Sequence, residues 1–556
     1  MIKFYLTALV MAVVSCLSAV AASYSGTLPV MFITTENSTP ITSKETYLNA
    51  TYYLDPMGTD ATALGSKDAQ LDLQIRGRGN YTWTGFDKKP YRIKFAAKTA
   101  ILGMKKSKHF ALLAHADDNR GFLRNTMGFY VSKTLGMPWT PEQRPVEVVL
   151  NGDYIGLYFL TETIRVDKDR VNVVEQPDLA TGAEEITGGW LVEIDNYDTD
   201  PHVTVKEGGD TNYNIIFTYK TPEELSAEQE KYLTDQMTNL NTKIYSNAFE
   251  ACPWQSYIDL ETLAKFYLTQ EIVGNYESFH GSCYLNKQLG AMEKWMFGPV
   301  WDFGSSLWPG TQQGFINKDG SYHQVWIGQM CKYPPFMNIV KKTWQDFYAN
   351  SYSAMLEYAE SFAESIKDAA AADAKRWPQY GNPNEMERCA DVLSWLRTRC
   401  TWIRKQWGGT NPDSPAATVY YVDYDQPNPW AQVNVYTWGE NGVEFNGKWP
   451  GSAMTATTLD GHPAWAYTFD DTENMTGNVG LIFNNGQSGA GNQTGNLVYV
   501  AGGIYHRDGT MGADDITASA DETPVYYNLQ GQRVACPQPG TLYIERTASK
   551  ARKVIY

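Results

Sequence analysis

Cysteine is scarce in this chain, with 7 in 556 residues. Beyond Cys16 near the start, Cys252, Cys283, Cys331, Cys389, Cys400 and Cys536 are too few and too scattered for a disulfide framework in a protein of this length. None is spaced as a zinc ligand pair, and no His cluster stands beside them. For Cys283 two roles stay open, a thiol nucleophile or a buried apolar side chain. Past the first residues there is also no apolar run long enough to span a bilayer. An excess of positive charge is missing as well: the net charge is −16, which argues against a general nucleic-acid partner, since clustered Lys and Arg supply that affinity.

What is present is a globular composition, 43% hydrophobic and 13% aromatic, with length enough for about three or four domains. Residues 1–22 carry Lys3, an apolar run from Phe4 to Val14 and small residues at Ala19, Ala21 and Ala22. That is the pattern of a secretory signal cleaved near Ala21 or Ala22, so the protein is expected to be exported, secreted or at the cell surface. Val13-Val14-Ser15-Cys16 also fits a loose lipobox, which would put a lipid on Cys16.

The stretch Glu271 to Trp308 organises the chain. An apolar strand from Trp295 to Trp301 delivers Asp302-Phe303-Gly304 into a turn, the way phosphoryl-transfer enzymes often hold magnesium, so Asp302 is the first candidate metal ligand. The loop before it places Glu277 five residues ahead of Ser282. Kinase catalytic loops use that separation for a residue that orients the hydroxyl nucleophile and one that binds metal. The other reading of Glu277 is a solvated loop carboxylate.

Upstream, a strand from Leu71 runs into Arg76-Gly77-Arg78-Gly79-Asn80, and a second strand spans Lys88 to Phe95. Such a glycine-flanked loop can cover phosphates with backbone N–H groups while a cation on the return strand neutralises them. Lys94 is the best candidate; Arg92 shares its face, and Arg124, opening an amphipathic helix, is expected in the same cleft. A plain hairpin with a solvated basic edge is the alternative. Asn151-Gly152 marks a tight hairpin between Pro145–Leu150 and Tyr154–Leu160. Glu193 and Asp195 share a strand face, supporting a metal or facing water.

These motifs together, Ile75 to Trp83, Lys88 to Phe95, Leu102-Gly103-Met104, Leu123-Arg124-Asn125, Leu150 to Tyr154, Gly189 to Asp195 and Gly298 to Phe303, resemble the CotH kinase family, the spore coat protein H-like atypical kinases, over roughly Leu71 to Trp407. The resemblance implies a distantly kinase-like α+β domain, ATP with Mg²⁺ or Mn²⁺, and phosphoryl transfer to protein hydroxyls. It sets Asp302 on the metal-binding Asp, Glu277 where the family usually has a catalytic Asp, and Ser282 where it usually has Asn.

Helical periodicity over Leu260–Ile272, Phe336–Ala372 and Glu385–Trp407 predicts a helical C-terminal lobe, completing a domain over 23–408. Residues 409–417 are a linker by composition. From 418 to 507, short alternating strands with Gly and Asn turns predict an all-β sandwich module. Tyr436 and Trp438 fall on one strand face, and Trp449 adds a third aromatic, suited to stacking on sugar rings or to packing a core. With Trp449-Pro450-Gly451, Ile482 to Gly486 and Gln493-Thr494, this segment resembles the starch-binding modules of carbohydrate-binding family 26. That implies an α-glucan platform of Tyr436, Trp438 and Trp449, with Gln493 as a polar contact. Residues 523–556 form a short β tail resembling the C-terminal sorting tails of exported Bacteroidetes proteins. Two functions from different classes follow: an exported kinase targeted to α-glucan, or a catalytically inactive kinase-like surface protein that binds or scaffolds glycan. Glycoside hydrolysis is a poorer third, since no carboxylate pair can be set across a cleft from sequence.

Overall fold

The computed structural model describes residues 23–508 apart from 198, 210, 319–321, 382, 410–415, 440–441, 460, 470–471, 473–474 and 476–477, together with strands between 511 and 555. The leader with Cys16, most of the linker and the turns of the tail lie outside the described residues. The chain divides into two compact units, residues 1–413 and 414–556.

The first unit opens with a closed barrel of seven strands: β1 (Val30–Thr35), β2 (Leu48–Asp55), β3 (Leu71–Gly77), β4 (Tyr91–Thr99), β5 (Ser107–Leu113), β6 (Gln143–Leu150) and β7 (Asp153–Glu162). Alternation drives it: Ile33, Tyr52, Leu54, Ile75, Ile93, Phe95, Phe110 and Val148 point inward and are buried, while Asn49, Gln74, Arg92 and Lys94 point out. Each such apolar side chain contributes about 1.5–3 kcal/mol by leaving water. Every neighbouring pair is antiparallel except the closing one, β1 against β6 in parallel from Val30↔Glu147. At the β6–β7 turn Asn151 and Gly152 both have positive φ, 51° and 83°, as a two-residue type I′ hairpin requires. The short helix α1 (Tyr81–Gly85) fills the β3–β4 connection, and α2 (Leu123–Thr134) follows β5.

Beside the barrel the chain builds an antiparallel sheet in the order β12-β11-β8-β10-β9 from β8 (Trp190–Asp195), β9 (His202–Lys206), β10 (Asn214–Thr221), β11 (Cys283–Lys287) and β12 (Trp295–Phe297). Against it pack α3 (Ala227–Ile244), α4 (Leu260–Val273), α5 (Ile327–Met330), α6 (Pro334–Asn350), α7 (Tyr352–Arg376) and α8 (Glu385–Trp407), in one continuous apolar core. The central helix α4 is capped at its start by the Asp259 carboxylate accepting from the Thr262 N–H at 2.7 Å, and ends at Gly274 in the left-handed region. Inside that core Arg399 of α8 forms a fully buried ion pair with Glu271 and donates to the Glu271 carbonyl at 2.9 Å. Another buried pair, Lys88 with Asp373 at 2.7 Å, fastens α7 to β7. The domain is α+β, as expected.

In the second unit, β13 (Ala417–Val422), β16 (Thr455–Leu459), β17 (His462–Phe469), β20 (Ile504–His506) and β21 (Met511–Gly512) form one sheet. The other contains β14 (Asn434–Trp438), β15 (Ser452–Ala453), β18 (Gly480–Asn484) and β19 (Leu497–Val498). Val419, Tyr421 and Phe469 from the first share a core with Val435, Leu481 and Phe483 from the second, so this region is a β-sandwich. The tail is a four-stranded antiparallel sheet of β22 (Val525–Tyr527), β23 (Arg533–Val534), β24 (Leu542–Arg546) and β25 (Ala551–Ile555).

Candidate functional site

The segment after β12 is held rigidly in place. Phe303 is fully buried and lies against Gly128 of α2, where an added Cβ would come within 2.4 Å of the ring. Its N–H donates to Asn125 Oδ1 at 2.9 Å, and the carbonyl of Asp302 accepts from Asn275 Nδ2 at 3.0 Å. Asp302 itself sits in the left-handed region with φ 58°, a conformation Asp tolerates better than most residues, and its Oδ1 accepts from the Gly304 N–H at 3.2 Å. The carboxylate is thereby fixed and exposed.

Three more groups gather there. Glu277, half-buried, accepts from Ser305 Oγ at 2.8 Å; burial raises its carboxyl above the ordinary range, with the Ser305 bond opposing and Asp302 adding to the rise. Asp117, in the loop between β5 and α2, lies on the same side of Gly304 as Asp302: a Cβ there would meet Asp302 Oδ1 at 3.3 Å and Asp117 Oδ2 at 3.7 Å. Burial, then its acidic neighbours Asp118 and Asp302, push the Asp117 carboxyl up to about 6. From the barrel comes Arg78, its guanidinium 5.7 Å from the Trp301 ring centre; burial depresses its basicity while the charge of Asp302 sustains it. Arg92 stands beside Arg78, Arg76 and Arg165, with its Nε buried and unpartnered. Neighbouring guanidiniums, one of them beside Asp302, suit an anion, since a phosphate chain would relieve their mutual repulsion.

The other expected residues have varied surroundings. Lys94 points from β4 into a groove of about 800 Å³ on the barrel, shared with Asn49, Gln74 and Lys108. Arg124 is buried under the Trp308 ring at 4.5 Å, with Nη1 donating to the Asp117 carbonyl at 3.3 Å, so it braces the Asp117 loop. Ser282 has φ 53° and leads into β11; the hydroxyl bonded to Glu277 belongs to Ser305. Glu193 is buried, bonded to Lys220 at 3.1 Å, and burial lifts its carboxyl to about 7; Asp195 accepts from the N–H groups of Asn196 and Tyr197. Cys283 is fully buried, its thiol pushed well up by burial, which favours the packing role. Asp117, Arg78 and Arg165 were not singled out from sequence, although the Arg76-Gly77-Arg78-Gly79 repeat between two strands was a signal for the second.

Among the described residues no three His, Cys, Asp or Glu side chains converge as a ready-made metal cage. Two carboxylates against one open glycine do suit magnesium or manganese, which keep several waters and take further oxygens from phosphates.

In the sandwich, Tyr436 and Trp438 project from the outer face of β14, ring centres 5.4 Å apart at 25°, and Trp449 meets Tyr436 edge-on at 5.5 Å. Trp438 lies flat on Gly480 of the adjacent strand, where a Cβ would come within 2.3 Å, and the Tyr436 hydroxyl donates to Glu444 Oε1 at 2.9 Å. Gln493 pairs with Asn484, which donates to the Pro450 carbonyl at 3.0 Å, next to Trp449; its own Oε1 accepts from the Gly489 N–H at 3.2 Å. The rings form a surface platform, while Val435 and Thr437 on the opposite face are buried.

Comparison with known families gives two matches. Residues 422–499 match the family described as starch-binding module 26. Residues 75–403, more than half of the chain and the whole segment carrying Arg78, Asp117, Glu277 and Asp302, match the family described as CotH kinase protein, and this chain therefore belongs to the CotH kinase family.

Proposed function

We propose that this protein is an exported, ATP-dependent phosphotransferase held on α-glucan by its C-terminal module, with protein hydroxyls as the acceptors the family implies. The observation that carries the reading is the gathering of Asp302, Asp117 and Glu277 with Arg78, beside which Arg92 stands. Asp302 and Asp117 would hold Mg²⁺ or Mn²⁺, which supplies charge screening between the phosphates when bound. Arg78 and Arg92 neutralise the phosphate chain and orient it. Glu277 accepts the proton of the incoming hydroxyl, and its raised basicity suits that task, because a carboxylate nearer neutral pH is the better base. A barrel lending cations to a helical body that carries Asp-Phe-Gly supports the kinase-like interpretation of the fold. The three-ring platform and the match over 422–499 support binding of a starch-like polysaccharide.

The test is transfer of labelled phosphate from ATP to added proteins or to the chain itself, comparing wild type with Glu277→Gln. Loss of roughly 10²-fold or more in the variant is expected for a general base. Equal transfer by both proteins would remove Glu277 from the mechanism. A second reading, an inactive glycan-binding scaffold, is favoured by Glu277 standing where the family usually has Asp and by Ser305, not Ser282, bonding it.

A further inference from the structure

Two exposed aromatic side chains are tied to residues that bond Glu277, and the mechanism above uses neither. Trp308 is 43% exposed, lies over the Arg124 guanidinium, and follows by three residues the Ser305 that bonds Glu277. Its backbone is pinned, with the carbonyl accepting from Trp395 Nε1 at 2.6 Å, so the ring is presented from a fixed base. Tyr322, 37% exposed, meets the His280 ring at 5.3 Å, and the His280 backbone N–H donates to the Glu277 carbonyl at 2.9 Å. Exposed aromatic rings braced by the residues that hold a proton-accepting carboxylate suit a sugar, whose C–H faces stack while one hydroxyl is held for reaction. The same polypeptide also carries a module matched to starch binding, whose first strand begins at Ala417, ten residues after α8 ends at Trp407. Such a tether gives glucan hydroxyls an effective concentration in about the millimolar range around the chain.

We infer that the Glu277 site takes a second class of acceptor, the hydroxyl of an α-glucan, and makes a glucan phosphate monoester. This rests on the phosphotransferase reading. The hydroxyl oxygen forms its bond to the γ-phosphorus of ATP as the bridging β–γ P–O bond breaks. The bridging electron pair leaves with ADP, and the hydroxyl proton passes to Glu277. Trp308 positions the sugar and takes no part in bond making.

The full chain is incubated with γ-labelled ATP, Mn²⁺ and dilute amylopectin, with a β-glucan and a generic protein acceptor in parallel. Label in amylopectin that survives proteinase and is released as sugar phosphate by glucoamylase is the expected result, well above label in the β-glucan. Trp308→Ala should lower the ratio of glucan label to protein label roughly tenfold, with Trp308→Phe restoring most of it. Trp438→Ala should lower glucan labelling at dilute amylopectin by about 10²-fold. Label in protein or water but none in glucan would overturn this inference and leave the phosphotransferase standing. No transfer and no metal-dependent ATP binding would overturn both.

Discussion

At the scale of single residues, the site depends on side chains that never meet a substrate. Gly128 is one: the Phe303 ring occupies the space its Cβ would take. Gly128→Ala should displace Phe303, cost about 1–3 kcal/mol of stability as other overpacking changes do, and weaken metal-dependent nucleotide binding at Asp302 at least about tenfold. Calorimetry on the folded variant checks this; unchanged binding would mean that Asp302 does not depend on Phe303. Glu385 is another. It is buried at the first turn of α8, neither carboxylate oxygen has a hydrogen-bond partner, and burial, with Asp118 nearby, lifts its carboxyl to about 7. The folded state then binds this proton more tightly than the unfolded chain, so stability contributed by the neutral form is present at low pH and is lost as pH rises toward 7. Glu385→Gln should therefore stabilise on the order of 1–3 kcal/mol at pH 8 and much less at pH 5, measured by denaturant unfolding at both. The place of Asp302 at an exposed turn after β12 was legible from sequence because its strand, Phe and Gly are local. Asp117 was not, because only the folded chain brings a barrel loop over Gly304.

Between elements, buried ion pairs do the fastening. Lys88 bonds Asp373 and also the Leu157 carbonyl at 2.7 Å, and Asp373 accepts from the Leu157 N–H at 2.8 Å, so β7 and α7 share one polar joint. Lys88→Met should cost about 3–5 kcal/mol by stranding a buried carboxylate, and adding Asp373→Leu should recover much of it, read from urea midpoints. A cost under about 1 kcal/mol for the single change would contradict a structural role for Lys88. The periodicity of Glu385–Trp407 gave α8 to the residue, since Val392, Leu396 and Ile403 make a steady apolar stripe. The one or more helices expected over Phe336–Ala372 are two, divided at Ser351. Helix α3 escaped notice, although Leu233, Met237, Leu240 and Ile244 keep helical spacing and Ser226 with Gln229 forms a capping box. Closure of the barrel was illegible because β1 pairs β6 across more than a hundred residues, and alternation within one strand says nothing of its distant partner.

For the whole molecule, two units with separate cores let one chain carry the proposed phosphate site in one and an aromatic platform suited to sugar in the other. The sandwich and its three rings were legible because Tyr436 and Trp438 alternate with buried Val435 and Thr437. Trp438→Ala in the full chain should abolish retention on insoluble starch without altering ATP binding, assayed by pull-down and titration in parallel. Retention equal to wild type would move glucan binding away from this face.

The central claim is that Asp302 anchors a metal-dependent nucleotide site. It is tested most directly by calorimetric titration of ATP, with Mg²⁺ and then Mn²⁺, into residues 23–556 and into the Asp302→Ala variant. Binding that requires the metal and disappears in the variant is the predicted result. Absence of binding in both proteins would contradict the claim and leave a glycan-binding member of the CotH kinase family without the transfer reaction.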